Sequence, residues 1–211
     1  MKKGLFITME GPDGAGKSTQ LEFIKSFLEE KGEKAIFTRE PGGTPISEKI
    51  RKIILDKNSS DMVPMTEALL YAAARAQLVS QVIKPALERG KIVVCDRFVD
   101  SSIVYQGYGR GLGESVNVIN DYAVAGCIPD ITFLMKLAPN LGKNRIKTEN
   151  KDRIESENSD FHENVYRGYI ELEKRYPDRI VTIDAKGSIE EVSREIGVKL
   201  ERILKNRNDF Q

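Results

Sequence analysis

The chain has 211 residues, 40% of them hydrophobic, with 33 Lys and Arg against 32 Asp and Glu, for a formal net charge of +1. That length and apolar content suit one sizeable packed domain, and the balanced charge argues against a nucleic-acid binder, which carries a basic excess or a long basic stripe. No run approaches the ~20 apolar residues of a membrane span, Cys95 and Cys127 lack metal-binding spacing, and Met1 to Ile7 runs into a strand without a signal-sequence pattern, so a cytoplasmic protein is expected.

Leu5 to Met9 reads as a buried strand. It leads into Gly11-Pro12-Asp13-Gly14-Ala15-Gly16-Lys17-Ser18-Thr19, the G-x-x-x-x-G-K-[ST] phosphate-binding pattern in its required strand, loop, helix context. Glycines at 11, 14 and 16 let successive N–H groups converge on phosphate oxygens, and the helix opening near Lys17 adds its positive end. Lys17 reaches the β- and γ-phosphates as a point charge, and the Ser18 hydroxyl ligates the Mg²⁺ that bridges them.

Leu21, Ile24, Phe27 and Leu28 recur at helical spacing up to Gly32, and a second strand over 34–38 ends in Arg39-Glu40-Pro41-Gly42-Gly43-Thr44. Ser47 is placed to cap a helix with the apolar face Ile50, Ile53 and Ile54, and 56–63 reads as a polar loop. The pattern predicts a long helix from Thr66 to Leu87, kinked at Pro85 and stopped by Gly90. A third strand, Ile92 to Cys95, ends in Asp96-Arg97-Phe98, with Ser101 to Gly107 after it. A helix from about Glu114 to Ala125, a strand over Ile131 to Leu134, and a polar segment from Pro139 to Glu155 follow. That segment holds Lys143, Arg145, Lys147, Lys151 and Arg153 and has no hydrophobic period. Phe161, Val165, Tyr169 and Leu172 mark a helix, 179–183 the last strand, and Ile189 to Ile203 a closing helix.

Strands alternating with helices, without repeats or linkers, predict a single three-layer α/β domain over 1–211: a five-stranded parallel sheet with helices on both faces. Ligands then bind outside the carboxyl ends of the strands. Asp96 stands where a P-loop fold places the carboxylate that orients Mg²⁺ or its waters. Arg39 and Arg97, two forked cations at strand ends, imply a second phosphate group beside ATP, although a surface ion pair of Arg39 with Glu40 is the plainer alternative. Tyr71 and Arg75, separated by three alanines, leave room for a flat ring, with the tyrosine stacking and the arginine reading an exocyclic oxygen. From spacing alone, an amphipathic helix with an arginine lying along its surface accounts for them as well. His162 reads as a solvated surface side chain. The basic stretch between 139 and 155 is either a solvated loop or a lid that brings cations to the migrating phosphoryl group and keeps water out.

Taken together, these stretches resemble the bacterial thymidylate kinases over essentially the whole chain. The resemblance is carried by Glu10 to Thr19, Thr38 to Thr44, Tyr71 to Arg75, Asp96-Arg97-Phe98 with Asp100-Ser101-Ser102 and Tyr105-Gln106-Gly107, and Asp152-Arg153-Ile154-Glu155. It implies transfer of the γ-phosphate of ATP to dTMP, giving dTDP, with Mg²⁺, in a homodimer. By position, Asp13 would accept a hydrogen bond from the 3′-hydroxyl, Arg39 and Arg97 would hold the 5′-phosphate, Tyr71 would stack on thymine and Arg75 would donate to its carbonyl oxygen. Ser101, Ser102 and Gln106 would line the base edge, Tyr105 would crowd the 2′ position, and Pro41 would lie near the methyl group. Gly14 implies the variant of the family in which the lid supplies the catalytic cation, from Arg145, Lys147 or Arg153. Lys136 departs from the usual aspartate. The alternatives are another nucleoside monophosphate or deoxynucleoside kinase, and a nucleotide switch, which the missing N-K-x-D guanine reader disfavours.

Overall fold

A computed structural model describes residues 4–143, 145 and 152–209. Five parallel strands form its sheet in the order β2-β3-β1-β4-β5: β1 Leu5–Glu10, β2 Ala35–Arg39, β3 Ile92–Asp96, β4 Ile131–Lys136 and β5 Ile180–Asp184. β1 is apolar along nearly its whole length because it lies at the sheet centre with both faces covered. Leu5, Ile7 and Met9 face one core with Ile24, Leu28, Phe133 and Ile196, while Phe6 faces another with Leu78, Ile83, Val93 and Phe98. The pleat that separates odd from even residues also turns Thr8 to the Phe6 face, where its hydroxyl meets that of Thr132 at 2.7 Å.

Register brings the functional strand ends to one rim: Met9 lies beside Asp96, Arg39 beside Asp96, and Lys136 beside Asp184. Helix α1, Lys17–Glu30, starts directly from the loop, its cap Gly16 holding φ 86° and Gly14 φ 78°, conformations in which a Cβ is strained. In α2, Pro45–Leu55, the cap is Thr44 and not the expected Ser47: Thr44 Oγ1 accepts from the Ser47 amide at 3.1 Å, and Ser47 lies inside the first turn. The long helix begins at Pro64, whose missing N–H is harmless in a first turn. It runs as α3 Pro64–Leu78, a wide π segment Val79–Ile83, and α4 Lys84–Glu88. The wide turn just before Pro85 accommodates the proline ring, which the ordinary repeat would drive against the preceding turn.

After β3 come α5 Val99–Ser102, a second π segment Ile103–Gly109, and α6 Ser115–Val124. The segment expected to lack regular structure opens as a short helix, α7 Pro139–Lys143, and α8 Ser159–Arg175 and α9 Ile189–Asp209 complete the chain. Among the described residues, no helix is long and apolar enough to cross a membrane.

Candidate active site

The rim encloses a cleft of about 830 Å³. At one end lie Gly14, Gly16, Lys17, Ser18, Thr19 and Asp96, and facing them Arg145 and the turn Gly187 to Ile189. At the other lie Arg39, Pro41, Tyr71, Ser101, Ser102, Tyr105 and Gln106, with Asp13 and Arg97 between the two. Sixteen of the proposed side chains or loop positions thus share one cavity, drawn from the ends of four strands and the segments that follow them.

Lys17 folds back on its own loop, donating to the carbonyls of Gly11 (3.0 Å) and Pro12 (2.9 Å). Burial pulls its pKa down to about 8, helped by Arg97 and opposed by Asp13 and Asp96. Asp13 receives Arg97 Nη2 and, at 3.3 Å, the Tyr105 hydroxyl. Burial works to raise the Asp13 pKa, but Arg97 and Lys17 outweigh it and hold the carboxylate below its ordinary value. Arg97 sits at φ 63°, a left-handed backbone that a side-chain-bearing residue holds only when its surroundings impose it.

That imposition comes from Glu10, a residue to which the sequence pattern assigns no role. Fully buried at the end of β1, Glu10 accepts from the amides of Phe98 (2.8 Å) and Ser101 (3.1 Å) and from the hydroxyls of Ser101 (2.6 Å) and Tyr169 (2.9 Å). Tyr169 also lies 3.3 Å from Arg97 Nη1. The signal for Glu10 was a lone charge closing an otherwise apolar strand. Tyr169 had none, since it falls on the same helical stripe as true core residues.

Two proposed residues, Arg75 and Arg153, lie outside the cleft lining, and a third, Arg39, lines it but is already ion-paired. Arg75 is 1% exposed and lies behind the cleft wall. Its N–H groups go to Glu40 Oε2 (2.8 Å from Nε, 2.5 Å from Nη2), Ser102 Oγ (3.0 Å), Asn120 Oδ1 and the Phe98 carbonyl (3.1 Å), so the guanidinium is engaged by the cleft wall. Arg39 is ion-paired, as the plainer alternative had it, but with both oxygens of Glu48 (3.0 and 3.1 Å), because Glu40 turns inward to Arg75. Arg153 does not line the cleft: it donates to the Ile54 carbonyl (2.8 Å) and to Glu67 (2.7 Å). Arg145 does line it, anchored at 3.1 Å to the Ala185 carbonyl. Lys147 lies outside the described residues. Lys136 donates to Glu173 at 2.8 Å, which accounts for its charge in that place. His162 is only partly exposed, its ring edge-on to Phe161.

Asp96 offers a donor suited to a hard cation. Its Oδ1 is buried with no hydrogen-bond partner among the described residues, and it shares the phosphate end of the cleft with Ser18. A carboxylate and a hydroxyl beside bound phosphates are the oxygen ligands Mg²⁺ takes.

The family model described as thymidylate kinase matches residues 9–196. The chain belongs to the thymidylate kinase family. Among curated relatives, the thymidylate kinase of an Exiguobacterium species is 51% identical over 195 residues, covering 92% of both chains. That of Lactobacillus helveticus is 51% identical over 210 residues, 96% of this chain and 98% of its own. The crystal structure of thymidylate kinase from Ehrlichia chaffeensis, 31% identical, superposes with a TM-score of 0.78 over 94% of this chain and 98% of that one. This thymidylate kinase family member therefore shares that fold over 94% of its chain.

Proposed function

We propose that this chain transfers the γ-phosphate of ATP to the 5′-phosphate of dTMP, yielding dTDP and ADP, in the cleft described above. The observation that carries the reading is the meeting of Asp13, in the phosphate loop, with Arg97, whose guanidinium lies over the Tyr105 ring in a cleft also lined by Tyr71. A nucleoside without a phosphate would leave Arg97 unused, and a switch protein has no need of the second pocket.

Lys17 and the loop amides hold the β- and γ-phosphates, and Ser18 and Asp96 would hold Mg²⁺, which when bound screens the charge between them. On acceptor binding, Arg97 exchanges Asp13 for the 5′-phosphate, freeing the Asp13 carboxylate to accept from the sugar 3′-hydroxyl. A phosphate dianion is already a nucleophile, so positioning and charge stabilisation suffice. Tyr71 stacks on the base, Ser101, Ser102 and Gln106 line its edge, and Pro41 meets the methyl group. Arg75 supports the wall from behind. Arg39 joins the phosphate once released from Glu48.

Position 14 is glycine for a local reason: a Cβ there would meet the Gly142 carbonyl, and one on Gly142 would lie 2.5 Å from the Asp13 carbonyl oxygen. No side chain can rise from the loop at that point, so the cation over the transferred group comes from the 139–155 segment, with Arg145 and Lys147 as the candidates.

A second copy of the chain completes the molecule. Helix α3 packs between α2 and α6, and all three present apolar residues outward at helical spacing: Ile46 and Ile53, Met65 and Leu69, Val118 and Tyr122, the last 83% exposed. A continuous stripe of this kind on three adjacent helices fits a self-complementary dimer face. A cytoplasmic location fits the same reading.

The test is an acceptor panel of dTMP, dUMP, dCMP, AMP and thymidine with ATP and Mg²⁺. dTMP should lead, with dUMP roughly 10–200-fold poorer for want of one methyl contact. A lead for thymidine or AMP would overturn the assignment of Arg97 and Tyr105.

A further inference from the structure

Glu67 occupies the first turn of α3, one turn before Tyr71, and its side chain is fully buried. Arg110 meets it through Nε (3.1 and 3.2 Å) and Nη2 (2.9 Å), Gln106 Nε2 at 2.9 Å, and Arg153 Nη2 at 2.7 Å. Arg153 also reaches back to α2 through the Ile54 carbonyl, and its amide lies 3.4 Å from the Leu55 carbonyl. Arg110 in turn pairs with Glu157 at 2.5 Å. One carboxylate thus gathers a residue of the base pocket, the end of the second π segment, and the far end of the basic segment.

The neighbours of Arg153 show what this docking does. Asp152, Ile154 and Glu155 line the cleft, whereas Arg153 between them points the other way. Asp152 Oδ1 accepts from the amides of Ile154 and Glu155, both at 2.9 Å, so the turn moves as a unit with the guanidinium that holds it.

We infer that Glu67 pins the 152–155 turn to the acceptor helix and that Arg153 is a positioning residue locked onto it, not the cation that meets the transferred phosphoryl group. The inference rests on the reading of the cleft as the site of phosphoryl transfer to dTMP. By this pin, the fit of the base against Tyr71 and Gln106 is coupled to the placement of the 152–155 turn that lines the cleft.

Wild-type turnover with dTMP tests the reading of the cleft, and variants test the pin. Arg153→Met and Glu67→Gln should each raise KM for dTMP roughly 10-fold while kcat stays within about 5-fold, and the double variant should be no worse than the poorer single one. Arg153→Lys, which keeps a charge on Glu67, should recover part of the loss. A cation at the transferred group behaves otherwise: Arg153→Met would cut kcat by about 10³ or more, and Glu67→Gln would leave it intact. That pattern, or additive effects in the double variant, overturns the inference. Hydrogen exchange guards against misfolding: in Glu67→Gln, residues 152–157 should exchange at least about 10-fold faster while β1 and α1 are unchanged. Unaltered exchange at 152–157 would refute the pin whatever the kinetics.

Discussion

Replacing Glu10 by glutamine separates what this buried carboxylate does for stability from what it does for the site. Four hydrogen bonds end on it, two from backbone amides and two from hydroxyls. A hydrogen bond to a charged acceptor contributes about 1 kcal/mol more than one to a neutral acceptor, so the exchange forfeits about 4 kcal/mol. The ion also carries a burial penalty of several kcal/mol, which glutamine lacks. Burial and the nearby charge of Asp100 push the Glu10 pKa up, against Arg97 and the bonds from Ser101 and Phe98, so the penalty is felt. A carboxyl with a raised folded pKa loses stability as pH climbs from the ordinary carboxylate range to that raised value, and Glu10→Gln should flatten this part of the pH profile.

The two terms nearly cancel. Thermal unfolding of Glu10→Gln should therefore shift by about 4 °C or less. Function should not be spared, because the amide cannot accept from both hydroxyls and the 97–101 turn that sets Arg97 at φ 63° loosens. If Arg97 holds the acceptor phosphate as proposed, displacing its guanidinium by about 1 Å should lower kcat/KM for dTMP on the order of 100-fold. Steady-state kinetics beside a melting curve make the assay. A fall in Tm beyond about 10 °C together with wild-type kcat/KM would show that Glu10 serves the fold and not the turn.

Lys17→Ala should abolish turnover while leaving dTMP affinity, measured by calorimetry, within a few-fold; equal loss of both would contradict the division between donor and acceptor ends. With a folded pKa of about 8, Lys17 gives up its proton in the empty protein as pH rises past that value, so KM for ATP should climb above pH 8. Because the unfolded lysine keeps that proton up to its ordinary value of 10.5, this residue's contribution to stability grows with pH across the interval, and a denaturant series between pH 7 and 10 checks the sign. Gly14→Ala, forced to place its Cβ on the Gly142 carbonyl at φ 78°, should lower kcat more than about 10-fold with little change in dTMP binding. Tyr122→Glu should shift the sedimentation coefficient from dimer to monomer, and an unchanged value would dismiss the α2, α3, α6 face as the interface.

The sheet, the phosphate loop and the rim were all legible in the amino-acid sequence, because each is written locally. Apolar runs name buried strands, a glycine pattern names a loop whose backbone must approach an anion, and the alternation of strands with helices leaves one edge for ligands. What the sequence could not decide is which partner each charged side chain takes, since a guanidinium reaches any carboxylate that the fold brings near and chain separation says nothing about it. Glu40 stands next to Arg39 yet pairs with Arg75, and Arg39 pairs with Glu48. Arg153, one of several basic residues in a polar stretch, proves to be docked 86 positions away on Glu67. Periodicity placed Tyr169 correctly on the buried face of its helix, but only the packing of α8 against the 97–101 turn sets its hydroxyl on Glu10 and Arg97. Burial raises the cost of leaving any of these charges unpaired, and so the tertiary structure, which alone fixes what is buried beside what, selects the pairs.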